Sequence, residues 1–262
     1  MIDIHSHVLP GIDDGSKSLE EAVELCRLAA GDGTRTLVCT PHINFRYENR
    51  RETIEAPFVE LSQAIRQAGV DLNLIRGAEV HMAPEIITKL KQGELVTYDD
   101  AGRYLLLEFP FQQVITGAED MVYRLRLAGV TPVIAHPERI AYFMDDTERL
   151  FQLVRLGALG QVTGASVLGQ FGERSQRAVM RMVARGLAHI VASDAHDRLH
   201  RPPALSEAAG AIARLHGEER VRAMFVDYPG AIVAGEEIEP PAPEEATSKM
   251  GGLLQRLVRR RS

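Results

Sequence analysis

Seven short apolar runs alternate along the chain with amphipathic helical patterns, and this alternation constrains the fold more than any other feature. The runs are rich in Val, Ile and Leu and cover residues 2–7, 36–42, 72–80, 104–110, 131–137, 159–164 and 189–196. Glycines in stretches such as "RQAGV" and "RLAGV" mark helix ends, because glycine adopts the left-handed conformation of a helix C-cap without strain. Strands joined by helical crossovers of this length pair in parallel, so the sequence predicts an α/β protein with a parallel sheet.

The number of strand–helix units favours a barrel over an open sheet. Runs of Val, Ile and Leu fit strands that are buried on both faces. No glycine-rich dinucleotide-binding fingerprint follows the first run, which weakens the case for an open, doubly wound sheet. We therefore predict a distorted (β/α)7 barrel domain over residues 1–235.

Charge and cysteine content exclude several other classes of protein. The chain of 262 residues has a formal net charge of -6, which argues against bulk binding to nucleic acid or to an anionic membrane. It shows no signal peptide and no apolar run of membrane-spanning length. The two cysteines, Cys26 and Cys39, do not suggest a disulfide framework, so we expect packing cysteines in a cytoplasmic protein.

Residues 236–262 differ in composition from the rest of the chain. The stretch "EEIEPPAPEEATSKMGG" is rich in proline and acidic residues and predicts a linker. In the "LLQRLVRRRS" that follows, one side of a short basic helix would carry the apolar residues Leu253, Leu254, Leu257 and Val258. Two interpretations stay open for this tail: a frayed end, or a segment for weak contact with a membrane surface or a partner.

Side chains that can bind metal follow nearly every predicted strand. The first run ends in "HSH", and residues two apart in a strand point to the same face, so His5 and His7 aim at one point. The other strand-end residues of this kind are Asp13, Asp14, His42, Glu79, Glu108, His136, Asp194 and His196. The carboxyl ends of all strands in a β/α barrel open onto one face, so we expect these side chains to converge there.

Convergence of this kind predicts a metal site. Carboxylates crowded into one cleft raise one another's pKa, and divalent cations remove that cost. Mixed imidazole and carboxylate ligands favour Mn, Fe or Zn. We expect His5 and His7 to bind one ion together with Glu79 and Asp194. Two or three ions close together would generate hydroxide at neutral pH and stabilise a displacement at phosphorus.

The motifs "IDIHSH", "DDG", "TPH", "GAE", "LLLEFPF", "TPVIAHPER", "FGER" and "VASDAH" occur in the order found in the PHP (polymerase and histidinol phosphatase) superfamily. Over residues 1 to about 235, the sequence most resembles the metal-dependent tyrosine-protein phosphatases of bacterial capsular and exopolysaccharide operons. The resemblance implies a distorted seven-stranded β/α barrel with three divalent ions, Mn first and Fe, Zn or Co as alternatives. It also implies a phosphotyrosine protein as substrate, namely a membrane-associated tyrosine kinase, and leaves the oligomeric state open.

The resemblance also assigns ligands to each ion. One ion would take His5, His7, Glu79 and Asp194, the second Glu79, Glu108 and His136, and the third Asp14, His42 and His196. Many relatives have a second histidine directly after the residue that matches His42. This chain has Ile43 there, which we do not count as a ligand.

Substrate contacts are expected from two arginines and one loop. The resemblance implies that Arg139 and Arg201 hold the phosphate, and a guanidinium can fork onto phosphate oxygens. The alternative for Arg139 is an ion pair with a neighbour, Glu138 or Asp145. In the loop "NFRYENRR", Phe45 or Tyr47 would stack on a phosphotyrosine ring; the alternative is an ordinary exposed loop. The leaving group would take its proton from His196 or from metal-bound water.

The sequence therefore predicts a metal-dependent protein-tyrosine phosphatase. A small-molecule phosphatase of the histidinol-phosphate type is the first alternative. A metal-dependent amide hydrolase is a second, although no lysine stands at a strand end to bridge its metals, and a binding module without turnover is a third. We exclude a thiolate mechanism, because Cys39 lies in an apolar strand and its spacing from Arg46 does not fit a cysteine-phosphatase loop. The remaining histidines are interpreted as structural or surface residues: His81, His189, His200 and His216.

Overall fold

The computed structural model describes residues 1–245 of the chain. The strands are β1 (Ile2–Ser6), β2 (Thr36–Cys39), β3 (His42–Ile43), β4 (Asn73–Arg76), β5 (Glu79–His81), β6 (Tyr104–Glu108), β7 (Thr131–Ala135), β8 (Leu159–Thr163) and β9 (Ile190–Ala192). The α-helices are α1 (Leu19–Gly31), α2 (Arg51–Gln67), α3 (Ile86–Gln92), α4 (Ala118–Leu127), α5 (Ala141–Asp145), α6 (Thr147–Arg155), α7 (Gly164–Val167), α8 (Glu173–Ala184), α9 (Ser206–His216), α10 (Glu218–Arg222) and α11 (Tyr228–Ala234). Short 3-10 turns cover Tyr98–Asp100 and Pro137–Arg139, and a π-helical stretch covers Ala223–Asp227.

All paired strands are parallel, which confirms the predicted α/β class. One sheet has the order β1-β2-β4 and the other the order β3-β5-β6-β7-β8-β9. The second and third apolar runs each divide into two strands, so that β2 and β4 lie in the first sheet and β3 and β5 in the second. The second run breaks at Pro41, which has no backbone N–H to continue the ladder.

Backbone hydrogen bonds also join the first strand to the segment after the last strand. His7 N donates to Ala195 O at 2.7 Å, and Asp194 N donates to His5 O at 2.9 Å. Ser6 and Ala195 form a parallel bridge. These contacts place the "HSH" motif beside the "SDAH" motif, although Asp194 follows His5 by 189 positions in the sequence.

Helices cover the sheets through apolar stripes. In α8, for example, the buried residues recur at helical spacing: Ala178, Val179, Met182 and Val183. A large apolar cluster lies between helices and strands, and a smaller one gathers strand residues such as Val133 and Leu106 around Tyr98 and Ile232. This packing holds the strand ends in fixed relative positions.

The last described residues run along the body of the protein without helix or strand. Tyr104 Oη donates to Glu236 O at 2.6 Å, and Glu244 N donates to Arg185 O at 2.8 Å. The domain division at residue 235 stays a prediction, and the tail residues Leu253, Leu254, Leu257 and Val258 lie outside the described residues. Within residues 1–245, no helix is both long enough and apolar enough to cross a membrane.

Candidate metal centre

The carboxyl ends of the strands bring all nine predicted metal-ligand side chains into one cluster. Within each of four overlapping groups, one nitrogen or oxygen atom from every member lies within 4.8 Å of the others. The groups are His5–His7–Asp194, His5–Glu79–His136, His42–Glu79–Glu108 and His7–Asp14–His42–His196. The convergence expected from the sequence is therefore present, and the role of each residue as a ligand stays a prediction.

Glu79, at the start of β5, lies at the centre of the cluster. Its Oε1 is 2.8 Å from His136 Nε2, and its Oε2 is 2.9 Å from His42 Nδ1. The same Oε2 lies 3.4 Å from His5 Nε2 and 3.3 Å from His7 Nε2. One carboxylate thus faces four imidazoles, which suits a ligand shared between ions.

Asp194 closes the other side of the cluster. Its Oδ1 is 3.3 Å from His5 Nε2 and 3.4 Å from His7 Nε2. Asp194 and His136, each following a strand, have positive φ angles of 55° and 33°. Residues other than glycine adopt this conformation at a cost and keep it where the surrounding structure enforces it, commonly at functional sites.

The donor set fits divalent metal ions. Glu79 Oε2, His42 Nδ1 and His136 Nδ1 are buried, and none makes a well-aligned hydrogen bond within the described part of the chain, although the first two atoms lie 2.9 Å apart. Such orphaned buried atoms are costly unless another partner satisfies them. Imidazole nitrogens and carboxylate oxygens are the ligands of borderline and hard divalent ions, so bound metal would satisfy these atoms.

Nearby histidines keep the buried Glu79 carboxylate ionised. Burial raises the pKa of Glu79, but the nearby His5 and His42 outweigh it and hold that pKa well below its usual range. Burial also lowers the pKa of His7, but Asp13 and the other carboxylates outweigh it and place that pKa well above its usual value. Without metal, Glu79 and His7 therefore carry opposite charges, and metal binding at His7 displaces a proton.

Two buried residues orient the first pair of histidines. His7 Nδ1 donates to Asp13 Oδ2 at 2.8 Å, and His5 Nδ1 donates to Gln161 Oε1 at 2.8 Å. Gln161 Nε2 in turn donates to Val162 O at 2.9 Å, which fixes the orientation of the amide. In both rings Nε2 faces the cluster, as expected when a partner outside the metal site sets the ring orientation. Sequence reasoning missed Gln161, although a glutamine in the otherwise apolar strand "LGQVT" was the available signal.

Arg139 and Arg201 converge on the second oxygen of Asp194. Arg139 Nη1 donates to Asp194 Oδ2 at 2.6 Å, and Arg201 Nη2 donates to the same oxygen. Each arginine side chain is about a fifth exposed, at 21% and 22%. The alternative pairing of Arg139 with Glu138 or Asp145 is not present among the described contacts. Glu138 instead accepts hydrogen bonds from Thr163, and Asp145 pairs with Arg174.

The loop after β3 reaches the edge of the cluster through Tyr47. The Tyr47 ring stacks on His42 with centroids 5.9 Å apart and an interplanar angle of 8°. Phe45 is 89% exposed. Ile43 is buried in the large apolar cluster, as expected for a residue that is not a ligand. Contact of Phe45 and Tyr47 with substrate stays a prediction.

The structure also locates the two cysteines and two of the remaining histidines, His189 and His81. Cys26 and Cys39 are buried free thiols, and burial raises the pKa of Cys26 to about 12, which confirms that they are packing residues. His189 is buried, with Nδ1 accepting a hydrogen bond from a backbone amide. His81, interpreted as a structural or surface residue, is partly exposed and lies beside one of the predicted ligands. Its Nδ1 lies 3.2 Å from Glu108 Oε2, because β5 pairs with β6 and sets the two residues opposite each other.

The fold and the cluster define a parallel α/β protein with the kind of strand-end site that metal-dependent hydrolases carry. A family model described as "Capsular polysaccharide synthesis, CpsB/CapC" matches residues 1–234, and the chain belongs to this family. The tyrosine-protein phosphatase YwqE of Bacillus subtilis (strain 168) is 33% identical over 254 residues, which are 96% of this chain and 99% of YwqE.

Another relative and a solved structure are also named as tyrosine phosphatases. The putative tyrosine-protein phosphatase CapC of Staphylococcus aureus is 37% identical over 203 residues, which are 77% of this chain and 79% of CapC. A solved chain from work on B. subtilis YwqE and Streptococcus pneumoniae CpsB, described as unique metal-dependent tyrosine phosphatases, superimposes with a TM-score of 0.91 at 32% identity. The match covers 95% of this chain and 100% of the solved one.

Proposed function

We propose that this chain is a metal-dependent phosphomonoesterase that hydrolyses phosphotyrosine in proteins during capsular or exopolysaccharide synthesis. Its family and its relatives, which are named tyrosine-protein phosphatases, support this function over a phosphatase of the histidinol-phosphate type. The observation that carries the proposal is the convergence of Arg139 and Arg201 on Asp194, at the edge of the cluster of metal-binding groups. Cations and metal ligands placed side by side suit a phosphate ester.

We propose that the cluster holds three divalent ions, with Mn as the first choice. The first ion would be bound by His5, His7, Glu79 and Asp194, the second by Glu79, Glu108 and His136, and the third by Asp14, His42 and His196. Glu79 belongs to two of the overlapping donor groups, which supports its role as a ligand shared between two ions. Ions held by these residues would lower the pKa of bound water and neutralise charge on a phosphoryl group.

Arg139 and Arg201 would bind the phosphoryl oxygens. The planar guanidinium presents several donors in a fixed fork that matches phosphate, and it remains charged at all physiological pH values. Donors already in place where negative charge develops stabilise a transition state without reorganisation. Asp194 holds both guanidinium groups together before substrate arrives, which supplies that preorganisation.

His196 is better suited to bind metal than to donate a proton. Its Nδ1 lies 3.0 Å from the backbone carbonyl of Asp194, which can only accept a hydrogen bond. The proton is therefore on Nδ1, and Nε2, which lies 3.4 Å from Asp14 Oδ1, presents a lone pair to the cluster. A tyrosine leaving group needs little acid assistance, so this assignment is compatible with the reaction.

Two grooves beside the cluster support a peptide substrate. One, of about 680 Å³, is lined by Asp14, His196 and Leu199, and the other, of about 710 Å³, by Phe45, His81 and other residues. Chain on both sides of a phosphotyrosine would find room there, which a small phosphate ester does not need. A membrane-associated tyrosine kinase as partner, and a cytoplasmic location, belong to this proposal through the family resemblance.

Metal reconstitution tests the function directly. The protein is stripped with chelator, supplied with Mn, Zn, Mg or Co singly, and assayed with a phosphotyrosine peptide and with histidinol phosphate. We expect metal-restored release of phosphate from the peptide, lost in His136→Ala and Asp194→Ala and retained in His216→Ala, which lies on α9 outside the cluster. Turnover of histidinol phosphate alone would reject the protein substrate, and no turnover despite bound metal would reject the phosphatase.

A further inference from the structure

The guanidinium of Arg139 lies against two aromatic rings. Its Cζ is 4.6 Å from the ring centroid of Phe171 and 5.4 Å from that of Phe111. We propose that Phe111 and Phe171 are positioning residues, an aromatic clamp that holds Arg139 in the orientation from which it binds the phosphoryl group. The proposal rests on the proposed function, because it assigns Arg139 to phosphate binding.

The two rings come from connections that are distant in sequence and fixed in space. Phe111 follows β6, and its carbonyl oxygen accepts a hydrogen bond from Ala141 N at 3.0 Å, just beyond Arg139 in the chain. The Phe111 ring also stacks on His136, with centroids 5.5 Å apart and planes at 8°. Phe171 lies in the connection between α7 and α8, which a turn from Gly172 N to Gly169 O closes at 2.9 Å.

The clamp restricts a rotation of the Arg139 guanidinium that the hydrogen bond to Asp194 leaves possible. The hydrogen bond to Asp194 fixes one nitrogen, but the side chain can still rotate about that contact. Rings against the guanidinium restrict that rotation and attract the cation through their quadrupoles. The donors of a guanidinium lie in its plane, so a ring that packs over one face leaves them available to phosphate oxygens.

Arg201 provides an internal comparison. It shares the Asp194 oxygen with Arg139, yet none of the aromatic rings in residues 1–245 lies over its guanidinium. Its backbone is held instead by hydrogen bonds from His196 N and Asp197 N to Arg201 O. Loss of the rings should therefore weaken the contribution of Arg139 alone.

A double-mutant cycle on the metal-loaded protein tests the clamp. We expect Phe171→Leu, and separately Phe111→Leu, to raise the KM for a phosphotyrosine peptide and the inhibition constant of inorganic phosphate by about three- to tenfold, in line with a partly exposed cation–π contact. The same substitutions in an Arg139→Ala background should change neither value. Phe171→Trp, which keeps an aromatic face, should restore the KM.

A matched control separates the clamp from a general loss of packing. Phe58→Leu removes a ring that lies 5.6 Å from the Arg76 guanidinium on another part of the protein, and it should leave KM, phosphate inhibition and metal content unchanged. An equal loss on Phe171→Leu with and without Arg139, or no loss in either case, would overturn the proposal.

A measurement on the metal-free protein keeps the clamp testable whatever the enzyme hydrolyses. The Nε–Hε signal of Arg139 in an NMR spectrum is identified by its disappearance in Arg139→Lys. We expect Phe171→Leu to shift this signal through the lost ring current and to lower its heteronuclear NOE as the side chain gains motion. An unchanged signal would refute the clamp even in an active phosphatase, and a changed signal in an inactive protein would leave the clamp standing while the proposed function failed.

Discussion

Asp13 is expected to control metal affinity without binding metal itself. Its side chain is only 1% exposed and accepts three hydrogen bonds: from His7 Nδ1 at 2.8 Å and His42 N at 3.1 Å to Oδ2, and from Gly15 N at 2.9 Å to Oδ1. Burial raises the pKa of Asp13, but His7 outweighs it and holds that pKa below its usual value, so Asp13 is an anion at neutral pH. Asp13→Asn is nearly isosteric and removes only the charge and one acceptor.

The expected loss of metal affinity in Asp13→Asn follows from the hydrogen bond between Asp13 and His7. The Asn amide must turn its NH₂ group towards either His7 Nδ1–H or Gly15 N–H, so one donor faces another donor. A charge-assisted hydrogen bond contributes about 1.5–3 kcal/mol, and each 1.4 kcal/mol is about a tenfold change in an equilibrium constant. We therefore expect Mn²⁺ to bind Asp13→Asn about 10- to 100-fold more weakly, the range typical of residues that orient metal-binding histidines.

The assay is an equilibrium titration of metal-free protein with Mn²⁺, in which free Mn²⁺ is followed by electron paramagnetic resonance. Asp71→Asn is the control, because Asp71 is 92% exposed and makes only a long contact of 4.0 Å with Arg35. Circular dichroism establishes that each variant is folded. Affinity within about twofold of the wild type in folded Asp13→Asn would refute the reasoning that Asp13 orients His7.

Three further predictions concern other positions. Gly15→Ala should destabilise the fold by at least about 2 kcal/mol and reduce metal content, because the new Cβ would lie 1.8 Å from His7 O. Gly31→Ala is the control: no atom lies within 4 Å of its new Cβ, so it should be neutral in thermal unfolding. Burial lowers the pKa of His189 from 6.5 to about 4 in the folded protein. As the pH falls from 7 to 4, His189 is therefore protonated in the unfolded state before it is protonated in the folded state, and the free energy of unfolding decreases. The wild type should therefore lose about 3 kcal/mol more than His189→Asn between pH 7 and 4 in urea unfolding. Cys39, whose pKa burial raises well above the usual value, should resist iodoacetamide in the native protein, and rapid native alkylation would contradict this.

The strand-end residues were predictable because two simple periodicities determine them. An alternation of apolar runs and helices predicts parallel strands, and parallel strands in a barrel end at one face. His5, His7, Glu79 and His136 could therefore be assigned to one cluster with no knowledge of which strands are neighbours. The cluster in the structure contains all of them.

Side-chain contacts between different strands or connections were not predictable in this way. Gln161 lies in β8 and hydrogen-bonds His5 in β1, and Phe171 lies beyond α7 against Arg139 beyond β7. Each contact depends on the side-chain direction and on the course of a loop, neither of which the periodicity of one segment determines. The contact of His81 with Glu108 was not predicted for the same reason, since it follows from the register of β5 with β6.

Asp194 joins the two halves of the site, and its geometry explains why they form together. Its Oδ1 faces the imidazoles of His5 and His7, while its Oδ2 accepts from Arg139 and Arg201. The two carboxylate oxygens serve both sides at once only while the side chain keeps this orientation, and the hydrogen bonds from the two arginines hold it there. The backbone of Asp194 has a positive φ of 55°, a conformation that the surrounding structure must enforce. The groups that would bind metal and the groups that would bind phosphate therefore share one anion, so a change that turns Asp194 disturbs both.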